Sequence, residues 1–304
     1  MADSAISTQD LIKTYGRGSR GLAGLDLEVE TGEVYGYLGP NGAGKSTTIR
    51  ILLDLIRPTS GSVRVLGLDP RADGLALRRR IGYLAGDFVV DGRQTARQLL
   101  TYLGNLRGGV EARRITDLAD RLGLDLDRQI KGLSKGNRQK VGIVQAFMHE
   151  PELLVLDEPT SGLDPFLQQE FVHLVQAAKR RGATVFMSSH VMSEVQQTAD
   201  RVGIIRDGRL ITVESVQSLR EHAVRSVTLT LSEDFDADEF RRLPGFTDVT
   251  VTGRTVRGRL AGHTDELIKV AARHTVVDLL CEEPDLEEIF FHYYEREEAT
   301  HVAV

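Results

Sequence analysis

Cysteine is nearly missing from this chain of 304 residues. Cys281 is the only one, which excludes an internal disulfide and fits a reducing compartment. Long apolar runs are missing as well. The longest, such as Ile51-Leu52-Leu53 and Leu153-Leu154-Val155-Leu156, suit a core helix or strand and fall far short of the roughly 20 residues that span a bilayer. Nor is there an excess of positive charge. With 38 Lys+Arg against 44 Asp+Glu the net charge is −6, which gives no electrostatic case for a nucleic-acid partner. The amino terminus carries Asp3 and Asp10 where a secretory signal would place basic residues and an apolar stretch. These absences lead us to expect a cytosolic protein whose membrane work, if any, is done by a partner.

What is present is 41% hydrophobic residues and 27% charged ones, enough for one large core, a small second domain and a well-solvated surface. Charge is distributed unevenly. From Arg225 onward there are 9 Lys+Arg against 17 Asp+Glu, a net of −8, while the preceding residues hold 29 and 27, a net of +2. The shift suggests a domain of residues 1–224 and an acidic accessory domain of residues 225–304. In the first part, short apolar runs at 33–38, 153–156 and 183–188 read as strands, and 45–54, 166–180 and 190–198 as helices. Alternating strands and helices imply an α/β sheet with its ligand at the carboxyl edge of the strands. A mainly helical insert spans about 88–150. In the tail, 226–232 and 248–252 alternate with period two, and Thr264 is placed to cap a helix through His274. Val276 to Leu280 reads as a strand, and a last helix begins near Pro284 with Asp285 as its cap. The tail is expected to be a small α+β domain.

Gly39-Pro40-Asn41-Gly42-Ala43-Gly44-Lys45-Ser46-Thr47 follows a strand and opens a helix, which is the setting a phosphate-binding P-loop requires. The glycines let backbone N–H groups approach phosphate oxygens, and the helix amino terminus adds positive potential. Lys45 is expected to hold the β and γ phosphates of ATP, and Ser46 to ligate Mg2+. A second chemical group closes the apolar strand at 153–156. Asp157 at its tip suits Mg2+, and Glu158 is placed to polarise an attacking water as general base.

Further motifs fall in a definite order around these. Leu133-Ser134-Lys135-Gly136-Asn137 precedes the Asp157-Glu158 pair. Ser161-Gly162-Leu163-Asp164 and Ser188-Ser189-His190 follow it, and Tyr15 lies upstream of the P-loop. Taken together, residues 6–215 resemble the ATP-binding cassette, or ABC, family. The resemblance implies a P-loop cassette fold with a helical insert. It further implies that two cassettes pair head to tail, with each ATP held between the P-loop of one copy and the signature of the other. Ser134, the Gly136 amide and Asn137 then face the partner's γ-phosphate. Asp164 couples the two sites, His190 contacts the γ-phosphate and holds Glu158, and Tyr15 stacks on adenine. Read by itself, Ser134 is a helix N-cap with Asn137 three residues on, a role compatible with the other. The acidic tail, ending Pro284-Asp285-Leu286-Glu287-Glu288-Ile289-Phe290, extends the likeness to drug-export ATPases of the daunorubicin-resistance type. Their membrane partners are ABC-2 permeases.

The chain departs from the family pattern at three places. Lys135 stands where a small residue is usual, and Asn137 where glutamine is usual. Gly86 occupies the place of a glutamine that senses the metal, which leaves Asp87 as the nearest polar group and as a third candidate metal contact. The expected function is ATP hydrolysis that drives efflux of a drug-like or hydrophobic compound, from a position on the inner face of the membrane. The rivals are an importer and a soluble regulatory ATPase. The 85 residues between Thr47 and Leu133 are too few for the coiled coils of DNA-repair members, and a single P-loop does not match two-cassette translation factors.

Overall fold

The computed structural model of the chain describes residues 4–16, 19–90, 92–189, 192–221 and 224–282. It divides into two compact units, Met1–Glu214 and Ser215–Val304, whereas the charge shift alone suggests a division near residue 224.

The first unit opens with two long antiparallel strands, β1 (Ser4–Tyr15) and β2 (Ser19–Glu30). Strand β3 (Val34–Leu38), helix α1 (Lys45–Leu52) and strand β4 (Ser60–Val65) follow, and β4 joins the other edge of β1 in a sheet of order β2-β1-β4. Helix α1 stops before residue 54 because Asp54 turns to a positive φ of 52°, which no helix continues through. Next come α2 (Gly74–Arg80), β5 (Ile81–Leu84), α3 (Ala96–Leu106), α4 (Ala112–Arg121) and α5 (Lys135–Phe147). Thr95 starts α3 with a capping box: its hydroxyl accepts from the Gln98 amide while the Gln98 side chain accepts from the Thr95 amide. Then follow β6 (Leu153–Asp157), α6 (Pro165–Arg180), β7 (Thr184–Ser189), α7 (Met192–Thr198), β8 (Arg201–Arg206) and β9 (Arg209–Ser215).

The main sheet has the order β5-β6-β7-β3-β8-β9. Strands β5, β6, β7, β3 and β8 run parallel. Every residue of β3, β6 and β7 is buried, as befits parallel strands covered on both faces. Phe186 of β7 stacks on Tyr35, 5.9 Å between ring centroids, and tilts against Tyr37 at 5.1 Å. These rings join Ile6, Leu11, Leu25 and Leu27 of the smaller sheet and Ile49 of α1 in one core. The register sets Asp157 beside Ser188 and Ser189 beside Leu38, so β6, β7 and β3 end together.

The second unit contains α8 (Val216–Glu221), β10 (Arg225–Leu231), α9 (Ala237–Arg241), β11 (Phe246–Thr252), β12 (Thr255–Leu260), α10 (Asp265–Ala271) and β13 (Val276–Glu282). Its sheet has the order β11-β12-β10-β13. Val227, Leu229 and Leu231, the inward members of the alternating run, meet Phe240, Leu267 and Val270 in a separate small core. Thr264 stands at the start of α10, but its hydroxyl makes no capping bond because its own backbone is already helical, with ψ at −6°. The helix expected from Pro284 lies outside the described residues.

Candidate functional site

The segment from Gly39 to Ser46 links β3 to α1. Gly42 and Gly44 take φ of 85° and 116°, backbone states that favour glycine. At Gly44 a Cβ would also come within 2.7 Å of the Gly21 carbonyl oxygen. Gly44 is the N-cap of α1 and brings no side chain to its first amides, and the first turn holds no acidic residue. Those amides are therefore left for an anion from outside. Lys45 is buried. Its Nζ donates to the carbonyls of Gly39 at 2.5 Å and Pro40 at 3.3 Å, and lies 3.6 Å from Glu158 Oε1. The loop thus closes on its own lysine, and a phosphate would take over this cation from two neutral carbonyls.

The strand ends supply the rest. Ser46 Oγ donates to Asp157 Oδ2 at 2.9 Å, and Ser188 Oγ donates to Asp157 Oδ1 at 2.6 Å. The Glu158 amide donates to the Ser188 carbonyl at 3.1 Å and to its hydroxyl at 3.3 Å. Glu158 takes a φ of 47°, a left-handed conformation that costs a non-glycine residue about 1–3 kcal/mol. Tyr83 of β5 feels the same centre: burial first, then the negative charge of Asp157, raises its phenol above the ordinary range. Lys45, Ser46, Asp157 and Glu158 are therefore brought together, as the spacing of the motifs predicts.

Tyr15 lies beside this loop with its hydroxyl 3.3 Å from Thr47 Oγ1 and part of its ring open to solvent. Gly21 makes room for the ring, since a Cβ there would strike it at 2.6 Å.

A second group forms where α5 and α6 begin. Ser134 is the N-cap of α5 and accepts from the Asn137 amide at 3.3 Å, the capping geometry expected from sequence. Asp164 caps α6 in the same way, accepting from the Leu167 amide at 3.0 Å, with Pro165 in the first turn. Gly136 packs so closely on the 161–164 loop that a Cβ would sit 3.0 Å from the Gly162 carbonyl oxygen. Ser134, Lys135, Gly162 and Asp164 are all exposed. Among the described residues, no hydrogen bond or ion pair joins 134–137 to the 39–47 loop.

Two placements were not legible in sequence. Gln139 of α5 is buried and donates to the Pro159 carbonyl at 2.9 Å, tying the helix behind Ser134 to the loop behind Glu158. Gly86 lies against Asp157, where a Cβ would be 3.6 Å from the carboxyl carbon. Asp87 follows Gly86 directly. It is exposed and lines a cavity of about 350 Å³ with Phe88, Lys131, Lys135 and Arg138, and no hydrogen bond joins it to Ser46 or Asp157. His190 lies outside the described residues.

Comparison with known proteins gives concordant matches. The profile described as ABC transporter matches residues 22–161. The bacitracin transport ATP-binding protein BcrA of Bacillus licheniformis is 38% identical over 231 residues, covering 75% of this chain and 75% of its own. The daunorubicin resistance ATP-binding protein DrrA3 of Streptomyces coeruleorubidus is 34% identical over 305 residues, covering 96% of both chains. Among solved structures, one described as an ATP binding subunit of an ABC transporter aligns with a TM-score of 0.67 at 29% identity, over 71% of this chain and 92% of that one.

Proposed function

This chain belongs to the ABC transporter family as an ATP-binding and ATP-hydrolysing subunit, and from that premise we propose that it powers export of drug-like or hydrophobic compounds through a separate ABC-2 type permease. The observation that carries the mechanism is the convergence of Lys45, Ser46, Asp157 and Glu158 at one strand edge. Relatives named for bacitracin transport and daunorubicin resistance support the direction of transport. No helix among the described residues is long and apolar enough to cross a membrane, so this reading gives the crossing to the permease and places the chain at the inner face.

In this reading the amides of residues 39–47 and the α1 amino terminus cradle the phosphates, and Lys45 exchanges its loop carbonyls for the β and γ oxygens. Tyr15 offers its ring to the adenine. Ser46 and Asp157 present converging hard oxygens, a donor set that suits Mg2+ shared with phosphates better than a metal caged by protein alone. When bound, that ion neutralises charge on the phosphate oxygens. Glu158 orients and deprotonates the attacking water, and His190 is assigned the support of that carboxylate. Ser134, Gly136 and Asn137 complete the site of a second copy, and Asp164 joins the two sites. Ser134 and Asp164 are exposed, which supports this assignment, because a single chain leaves both open. ATP then holds two copies together, and hydrolysis releases them, a two-state element under ligand control. The acidic unit from residue 225 is assigned an accessory contact with a second copy or a regulator.

The test is recovery of the chain from membranes together with its partner, followed by reconstitution. A co-purifying permease of about six helices, with ATP-driven movement of a hydrophobic cation out of the cytosolic side, is the expected result. Inward movement, or turnover with no membrane partner, would overturn the export reading.

A further inference from the structure

We propose that Ser188 is a positioning residue that sets both active carboxylates at once, the metal-side Asp157 through its hydroxyl and the water-side Glu158 through its backbone. The inference rests on the roles given above to Asp157 and Glu158. Ser188 is fully buried, one strand over from Asp157 in parallel register. Its hydroxyl has one proton, and that proton goes to Asp157 Oδ1 at 2.6 Å, a short bond of the kind a charged acceptor makes. The lone pairs that remain face the Glu158 amide at 3.3 Å, and the Ser188 carbonyl accepts from the same amide at 3.1 Å. One residue thus ties down the carboxylate at the tip of β6 and the amide of its successor.

Each tie answers a specific need. Glu158 sits at a φ of 47°, which an unrestrained glutamate would leave. A pair of acceptors on one amide gives the surroundings a means to hold that conformation. Asp157 has its other oxygen on Ser46, so two hydroxyls fix the carboxylate plane from opposite oxygens. The third neighbour is Gly86, which approaches Asp157 with no side chain to orient it. Orientation of this carboxylate therefore falls to the serines. Ser46 is itself assigned to the metal, which leaves Ser188 as the fixed member of the pair. Outer partners of this kind typically contribute about 10–100-fold in metal affinity or activity.

The experiment compares the full chain with Ser188→Ala, Ser188→Thr and Ser188→Val. Thr and Val have the same shape and differ only in the hydroxyl. Four quantities are read: kcat, KM for ATP, the Mg2+ concentration that half-saturates binding of a fluorescent ATP analogue, and the melting temperature. We expect kcat of the Ala and Val variants to fall about 10–100-fold and the Mg2+ requirement to rise about tenfold, with KM little changed. The Thr variant should recover most of both losses relative to Val. Equal values for Thr and Val would overturn the proposal, even if every Ser188 variant melts lower, because that pattern belongs to packing alone. Unchanged kcat and Mg2+ requirement in the Ala variant would overturn it too. Glu158→Gln is carried in parallel. If Glu158→Gln retains full turnover, the base assignment fails whatever Ser188 does, so the two failures are distinguishable.

Discussion

Strands β7 and β13 are similar in length and opposite in setting. Every residue of Thr184–Ser189 is buried, and every residue of Val276–Glu282 is exposed. Strand β7 lies in the middle of a parallel sheet, with β6 on one side and β3 on the other, and its carboxyl end holds Ser188 against Asp157. Among the described residues, strand β13 is the edge of a four-stranded antiparallel sheet and pairs with β10 alone. It carries Val277 and Leu280 in the open, with Asp278 and Glu282 as the charges that discourage edge-to-edge association. Chemistry that needs angstrom-level placement sits where both neighbours of a strand are fixed. A strand fixed on one side alone gives a surface, not a site.

The contrast can be broken most forcefully at the catalytic edge. Lys45→Ala removes the one side-chain cation of the P-loop and should lower phosphate release from ATP by at least about a hundredfold, with a marked loss of nucleotide affinity. Turnover and affinity equal to the parent would exclude the phosphate-site assignment. Glu158→Gln should lower turnover about 10²–10⁴-fold and leave ATP binding intact. With ATP it should accumulate a dimer on sizing, since the ligand that joins two copies is no longer consumed. One mass with and without ATP would sink the two-copy model.

Stability should follow the same division. Phe186→Ala opens a void between Tyr35 and Tyr37 and should cost about 3–5 kcal/mol in urea unfolding. Val277→Thr on β13 should stay within about 0.5 kcal/mol. Comparable losses for the two would mean that β13 is covered in the intact molecule.

A smaller, pH-dependent effect is expected from His149, which follows α5. Burial first, and then the nearby Arg107, push its pKa down to about 4. Its Nε2 lies 2.8 Å from Arg107 Nη1, which suits a neutral ring accepting from the guanidinium. The folded state therefore binds a proton less readily than the unfolded chain, whose histidine titrates near 6.5. Stability is full above pH 6.5 and declines as pH falls toward 4, by at most about 3 kcal/mol. The drop in urea midpoint between pH 7 and pH 5 should be smaller in His149→Gln than in the parent. An identical drop would assign the acid sensitivity to other groups.

Most of the phosphate site could be read from the chain because its geometry is local. The glycines at 42 and 44, the lysine after them and the helix that follows are one continuous segment, so spacing alone places them. The caps at Ser134 and Asp164 are local too, since each bonds an amide three residues ahead. Local pattern also suggests Thr264 as a cap, but there the backbone has already entered the helix and the hydroxyl finds no partner. Asp87, a candidate because it stands next to Gly86, is exposed and lines a cavity with Lys131, Lys135 and Arg138.

By itself, then, the sequence determined the local elements to which the chemistry is assigned: a P-loop, a strand ending in two carboxylates and two capped helices, all encoded over spans of a few residues. Only the tertiary structure decided what holds them in place. The Ser188 bond to Asp157 spans 31 positions and the Gln139 bond to Pro159 spans 20. Such pairs exist because the sheet order seats β7 between β6 and β3 and α5 lies against β5. Strand order is set by burying apolar faces across the whole unit, a sum over many distant contacts that no local spacing contains.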